Sequence, residues 1–198
     1  AFDSETFNNA SDTPLLRSGS AGAAVARAQI LLDRAWFSCG EIDGRFAANM
    51  QRMVKAYQTA SGLKVTGTVT AETWTALRKD SEPLLTSYTV TEKDTAGPFE
   101  KTPVAMEERA KMKALVFESV EEALAEKFHT SIGYLKQLNK GCFAACTETT
   151  VPKVSVRVAP TSTSSIEIDN CSRVLYVLDR KGALVAGFPT CLGHEIAD

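Results

Sequence analysis

Cys191 and His194 stand three residues apart near the end of a 198-residue chain, in the stretch GFPTCLGHEIAD. A thiol beside an imidazole raises three possibilities: an activated nucleophile, half of a metal site, or two residues at the edge of a larger sheet. Nucleophilic use needs a thiolate, a base and donors for a developing oxyanion, all held by a rigid frame. Metal use needs about four nitrogen or sulfur ligands at close spacing. The chain holds five cysteines (Cys39, Cys142, Cys146, Cys171, Cys191) and two histidines (His129, His194). No Cys-x-x-Cys pair occurs among them, so no metal and no cofactor is expected.

The wider composition is that of a globular chain, 44% hydrophobic and 23% charged with net charge −2. That is long enough for one large domain or two to three small ones. The charge is too low to hold nucleic acid or an anionic membrane surface. No run approaches the roughly 18 apolar residues of a membrane span. The chain begins at Ala1 without a Met or a signal-peptide core, so it reads as processed or trimmed.

The elements that must position any site fall into three segments. Residues 1–14 are polar and read as a flexible lead. From 15 to 79 the pattern is helical. Ser20 and Gly22 are start signals, and Val25, Ala28, Leu32 and Trp36 recur at helical spacing. Asp43-Gly44 marks a tight turn. A second helix carries Phe46, Met50, Met53, Val54 and Tyr57 on one stripe, and Gly62-Leu63 ends it with a left-handed residue and a fold-back. Thr70 caps a third helix with Trp74 and Leu77. Cys39 is expected in the core of this bundle.

The order of those features resembles the three-helix peptidoglycan-binding domain. The resemblance runs over 15–77 and rests on Gly22, Val25, Gln29 and Leu32, then Asp43, Gly44 and Phe46. It continues through Tyr57, Gln58, Gly62, Leu63, Gly67, Thr73, Trp74 and Leu77. Phe46, Tyr57, Trp74 and Leu77 read as core, and Asp43 as a cap that could also touch ligand. The polar surface left for peptidoglycan is Arg45, Asn49 and Gln58, with Asp43. Stem peptides carry carboxylates, and Arg45 is the residue whose guanidinium can grip one with two hydrogen bonds.

A linker at 80–87 surrounds Pro83. The stretch SYTVTEKDT then alternates as a strand, Ser119 to Glu122 form a capping box, and Val120, Ala123, Leu124 and Phe128 share a helical face. A second helix carries Ile132, Leu135 and Leu138, and TTVPKVSV returns as a strand. Strand, helix, helix, strand resembles the lysin motif, on Tyr88, Val90, Asp94 and Thr95, then Ala125, Phe128, Leu135, Leu138 and Asn139, then Val151-Pro152. The departure is an insert at 96–119, where Met106, Ala110, Lys113, Ala114 and Phe117 predict an extra helix after Pro103. Its charges Glu107, Glu108, Arg109 and Lys111 read as a solvated face.

The last segment reads as strands. Ile166 and Ile168 alternate with Glu167 and Asp169; Val174, Tyr176 and Leu178 alternate with Leu175 and Val177; and the chain turns at 179–182 and returns from Leu184 to Phe188. The pattern from Ile166 to Gly193 resembles the opening strands of the L,D-transpeptidase catalytic domain. In that family the nucleophile is a Cys within Ser-x-Gly-Cys-x-Arg, a motif this sequence does not contain. The resemblance implies that Cys191 ends the first hairpin and carries no catalytic role, so no catalytic residue is assigned. Two strands alone are marginal in water. The hairpin is therefore expected to be mobile or paired with a second copy.

If Asp179 faces Ala183, continuing the register sets Cys171 opposite Cys191. A bridge there fits an exported wall protein. Cys142 and Cys146 form a second candidate loop.

The expected fold class is α+β and multidomain: a three-helix peptidoglycan-binding bundle (15–79), a βααβ lysin-motif-like domain with a helical insert (88–156), and a C-terminal β-hairpin opening an L,D-transpeptidase domain (157–198). The expected function is peptidoglycan targeting for a bacterial wall cross-linking protein, exported to periplasm or cell wall, with no catalysis by this stretch itself. Its expected partner is peptidoglycan, with no nucleic acid, no membrane span and self-association through the hairpin. Two alternatives stay open: a cysteine enzyme using Cys191 and His194, and a wall-associated adaptor that binds proteins through the insert.

Overall fold

A computed structural model describes residues 2–141, 143–154 and 163–191. Its centre is helix α2 (Ala23–Arg34). The spacing assigns α2 one apolar stripe, yet Arg27, Gln29 and Arg34 are only 3%, 2% and 2% exposed. A helix covered on all sides must satisfy its polar side chains internally. Arg34 does so by donating to the carbonyls of Lys153, Glu82 and Pro83 and to the Asp80 carboxylate. One buried guanidinium thus fastens the linker and the far end of the second unit to the bundle.

Helices α3 (Ala48–Ala60) and α4 (Ala71–Leu77) complete the bundle. Phe46, Met50, Met53, Val54, Tyr57, Trp74 and Leu77 are buried, as their spacing requires. Helix α3 ends with Gly62 at φ +65° while the Leu63 amide donates to the Gln58 carbonyl at 2.8 Å. Trp36 departs from expectation. Helix α2 stops at Arg34, and Trp36 turns away at φ +59° instead of continuing the stripe.

The lead is part of the fold rather than flexible. Asp3 caps a short helix, α1 (Ser4–Asn9), and Phe7 is buried in the main core. Asn8 fixes it in place. Its side-chain oxygen accepts from the amides of Leu84 and Leu85 at 2.9 and 2.8 Å, and its nitrogen donates to the Leu85 carbonyl at 3.1 Å.

In the second unit β1 (Leu85–Thr89) pairs antiparallel with β2 (Glu148–Pro152). Between them run the one-turn helices α5 (Glu92–Thr95) and α6 (Met106–Arg109), then α7 (Val120–Lys127) and α8 (Ile132–Asn139). Val90, Leu124, Ala125, Leu135, Phe143 and Val151 form its core. The Ser119 hydroxyl accepts from the Glu122 amide, but Glu122 reaches back to the Glu118 amide, not to Ser119. The reciprocal capping box lies instead at Thr91 and Asp94. The insert departs further. It holds a single helical turn, α6, which buries no residue, and Met106, Leu115 and Phe117 are exposed, so no burial sustains a longer helix among the described residues.

The last segment is a three-stranded antiparallel meander, β3 (Ser165–Asp169), β4 (Val174–Leu178) and β5 (Leu184–Pro189). It is neither an isolated hairpin nor uncovered, because β5 lies on the bundle. Gly187 makes this possible: a Cβ there would stand 3.3 Å from the Met53 sulfur and 3.4 Å from Phe37. The Gly187 amide donates to the Trp36 carbonyl and its carbonyl accepts from the Ser38 amide, at 2.8 and 3.0 Å. Val174 is buried in the main core.

Asp179 does face Ala183, its amide donating at 2.9 Å. An irregularity between Val177 and Leu178 then shifts the register, so Val174 faces Pro189. Continued by two residues on each strand, that register sets Ser172, not Cys171, opposite Cys191, and no disulfide joins the two cysteines. Cys142 and His194 lie outside the described residues, and with them the Cys142–Cys146 loop and the Cys191–His194 pair.

Candidate functional site

The turn that presents Arg45 is built by Gln29. From α2 its side-chain oxygen accepts the amides of Asp43 and Gly44 at 3.2 and 2.8 Å, and its nitrogen donates to Asp43 Oδ1 at 2.9 Å and the Arg45 carbonyl at 3.2 Å. Asp43 Oδ1 also accepts the Arg45 amide at 2.8 Å. Gly44 sits at φ +71°, and a Cβ there would meet the Gly22 carbonyl at 3.4 Å and the Tyr134 ring at 3.5 Å. Asp43 is therefore committed to the turn. Arg45 is exposed, and its guanidinium has no partner among the described residues. Asn49 is half-buried and accepts from Arg52 at 2.9 Å.

Gln58 plays the same part on the other side of the bundle. It is fully buried. Its nitrogen donates to Thr66 Oγ1, the Thr68 carbonyl and Thr73 Oγ1 at 3.1, 2.9 and 3.0 Å, and its oxygen accepts the amides of Thr66 and Gly67 at 2.9 and 3.0 Å. Every polar group it has is used, so it offers nothing to a ligand. The glutamines at 29 and 58 are clamps on turns. Of the sequence candidates, Arg45 is exposed, Asn49 and Asp43 are half-buried with Asp43 Oδ1 taken by the turn, and Gln58 is buried.

A second feature was not visible in the sequence. Where the bundle, the second unit and the meander meet, a cleft of about 530 Å³ is lined by Asp33, Trp36, Ser38, Gly40, Glu41, Ala125, Glu126, His129, Thr130, Val154, Phe188 and Pro189. Ile42 and Thr130 hold its walls together. The Ile42 amide donates to the His129 carbonyl at 2.8 Å, and the Ser131 amide and the Thr130 hydroxyl donate to the Ile42 carbonyl at 3.2 and 2.7 Å. Phe188 meets Trp36 edge-on, with ring centres 6.5 Å apart. His129 Nδ1 lies 3.0 Å from Asp33 Oδ2. That hydrogen bond raises the histidine's pKa, burial opposes it, and the charges of Asp33 and Glu126 add to the rise.

Two other polar groups are spent internally. Burial would raise the Asp94 carboxyl's pKa, but hydrogen bonds from Tyr88, Thr91 and Lys127 outweigh it and hold it well below the carboxylate range. Lys127 also stacks over the Tyr88 ring at 4.4 Å, so this network closes β1 onto α5 and α7. Asn139 pairs with both backbone groups of Thr150, at 2.8 and 2.6 Å.

Among the cysteines, burial first and then the charges of Asp33 and Asp43 push the Cys39 thiol far up, so it is inert. Cys146 and Cys171 are exposed. Among the described residues, no group of three or more His, Cys, Asp or Glu could hold a metal ion, and no helix is long and apolar enough to cross a membrane.

The chain is similar to two solved structures. The crystal structure of the SleB N-terminal domain is 27% identical and aligns over 36% of this chain and 97% of its own, with a TM-score of 0.34. A crystal structure of the L,D-transpeptidase from Xylanimonas cellulosilytica is 16% identical and aligns over 89% of this chain, with a TM-score of 0.37. This chain spans 50% of the length of that one. The curated proteins gave no match. Residues 21–77, the segment from the start of the bundle to the end of α4, match the family model described as "Putative peptidoglycan binding domain".

Proposed function

We propose that this chain targets the bacterial cell wall, and that it does so as the N-terminal part of an exported L,D-transpeptidase-like protein that cross-links peptidoglycan. The observation that carries the wall reading is the match over 21–77, within which Gln29, Asp43, Gly44 and Gln58 build the two clamped turns. With those residues spent on the scaffold, Arg45 is left as the group displayed by the first turn. It is held at its backbone, and its guanidinium is free to grip a stem-peptide carboxylate with two parallel hydrogen bonds. The link to a transpeptidase is supported by the strand pattern from Ile166 onward, and the lysin-motif reading by the β1-α7-α8-β2 order. Weak contacts on linked units raise local concentration on a polymer by more than any one contact does.

Free stem peptide provides the test. It should displace the chain from purified sacculi, and a stem peptide with its carboxylates amidated should not. Equal displacement by both would remove the role given to Arg45.

Self-association through the meander belongs to the same reading. β3 is an edge strand whose Ile166 and Ile168 are 65% and 53% exposed. Two-fold antiparallel pairing centred on Glu167 would set Ile166 against Ile168 of a second copy, but Glu167 against itself. Association should therefore be weak, and Glu167→Gln should strengthen it in sedimentation velocity. An unchanged monomer would rule the pairing out.

A further inference from the structure

We infer that the cleft between α2, α7 and β5 is a saccharide-binding site, with an N-acetylated hexosamine of a glycan strand as its ligand class. The choice of glycan rests on the wall-binding reading above; the site itself rests on the cleft. Its volume, about 530 Å³, falls within the range of about 300–1,000 Å³ typical of small-ligand sites. Its wall is apolar, formed by Trp36, Phe188 and Pro189, with the two aromatic rings set edge-on. A pyranose has one face of C–H groups that lies against such a wall, while its hydroxyls point outward to polar partners. The rim supplies those partners. The side-chain carboxylates of Glu41 and Glu126 make no hydrogen bond or ion pair within the described residues, so both can accept from hydroxyls. His129 is held through Nδ1 by Asp33, which leaves its Nε2 for a ligand. Three carboxylates around one cleft repel an anionic ligand, which separates this site from the carboxylate-seeking Arg45.

The site carries its own reporter. The chain has two tryptophans, and Trp74 is fully buried with its indole donating to the Pro14 carbonyl at 2.8 Å. Fluorescence changes on ligand addition therefore report Trp36. The experiment titrates the full chain with N,N′,N″-triacetylchitotriose, alongside a sacculus-retention assay. A saturable shift of Trp36 emission is expected. Phe188→Ala should weaken it by roughly tenfold through loss of the aromatic wall. Glu126→Gln, conservative and on the surface of α7, should weaken it while leaving the circular dichroism unchanged. No saturable shift with sacculus retention intact overturns the cleft site and leaves the wall reading standing. No shift with no retention overturns both. An equal response to free lysine would show a site for amines and overturn the saccharide assignment.

Discussion

Asp33 and His129, 96 positions apart, meet with Oδ2 and Nδ1 separated by 3.0 Å. One residue belongs to α2 and the other follows α7, so the pair ties the bundle to the second unit at the edge of the cleft. His129 holds this position in the left-handed region, at φ +53°. That conformation is uncommon for a residue with a side chain and persists because the Ile42–Thr130 bridge fixes the backbone beside it.

The pair makes stability depend on pH. The charged groups facing His129 are Asp33 from α2 and Glu126 from α7, both negative, with Glu41 lining the same cleft. They raise the folded pKa above its unfolded value. The contribution is therefore fully present below pH about 6.5 and is lost as pH rises through the folded value. The imidazole is half exposed, so solvent screening limits it to under about 1 kcal/mol. Thermal melts from pH 5.5 to 8.5 should show wild type losing stability relative to His129→Asn as pH rises. A constant difference would show that the pair is not charged.

Gln58→Met keeps volume and removes five hydrogen bonds, leaving the amides of Thr66 and Gly67 without their acceptor. Unmade buried bonds of this kind cost about 1–3 kcal/mol each, so urea unfolding should show a loss of roughly 2–4 kcal/mol. Gln29→Met should cost a similar amount and also loosen the turn that displays Arg45, lowering sacculus retention. A loss under about 0.5 kcal/mol for both would mean that the clamps are not structural.

Gly187→Val places side-chain atoms where Met53 and Phe37 already stand. Overpacking of this kind costs about 1–3 kcal/mol and here should lift the meander from α3. Hydrogen exchange at the amides of Ser38 and Gly187 should accelerate in the variant while amides in α2 stay protected. Unchanged exchange would contradict the docking of β5 on the bundle.

Much of this was legible in the chain, and the misses share a cause. Periodicity finds helices whose burial is one-sided, so α3 with Met50, Met53, Val54 and Tyr57 was readable. α2 was readable only in part, because Arg27, Gln29 and Arg34 are buried against their type by partners distant in sequence. Trp36 fits a helical spacing that the chain abandons two residues earlier. Insert residues Met106 and Phe117 fit a helical spacing, yet both stay exposed, so burial does not sustain a helix there. Gln58 reads as surface in the sequence because its four partner residues, Thr66, Gly67, Thr68 and Thr73, lie 8 to 15 positions away, in the turn after α3 and the start of α4. The cleft had no local signature, since Asp33, His129 and Phe188 come from three segments. A one-residue shift at Val177 separated Cys171 from Cys191, and no strand pattern encodes such a shift.

Alkylation with iodoacetamide separates the cysteines by environment. Cys146 and Cys171 should react in the native state, while Cys39 should react only after unfolding. Peptide mapping after a short pulse reads this directly. Early labelling of Cys39 would mean that the bundle opens on that timescale.

The most direct measurement is cosedimentation of the full chain with purified sacculi, comparing wild type with Arg45→Glu. Charge reversal at an exposed residue leaves the fold intact, so near-ultraviolet circular dichroism should not change. Wild type should pellet with the wall, and the variant should bind roughly tenfold more weakly, with the difference shrinking as salt is raised. Wild-type chain left in the supernatant, or a variant that pellets equally well, would contradict wall targeting through this turn.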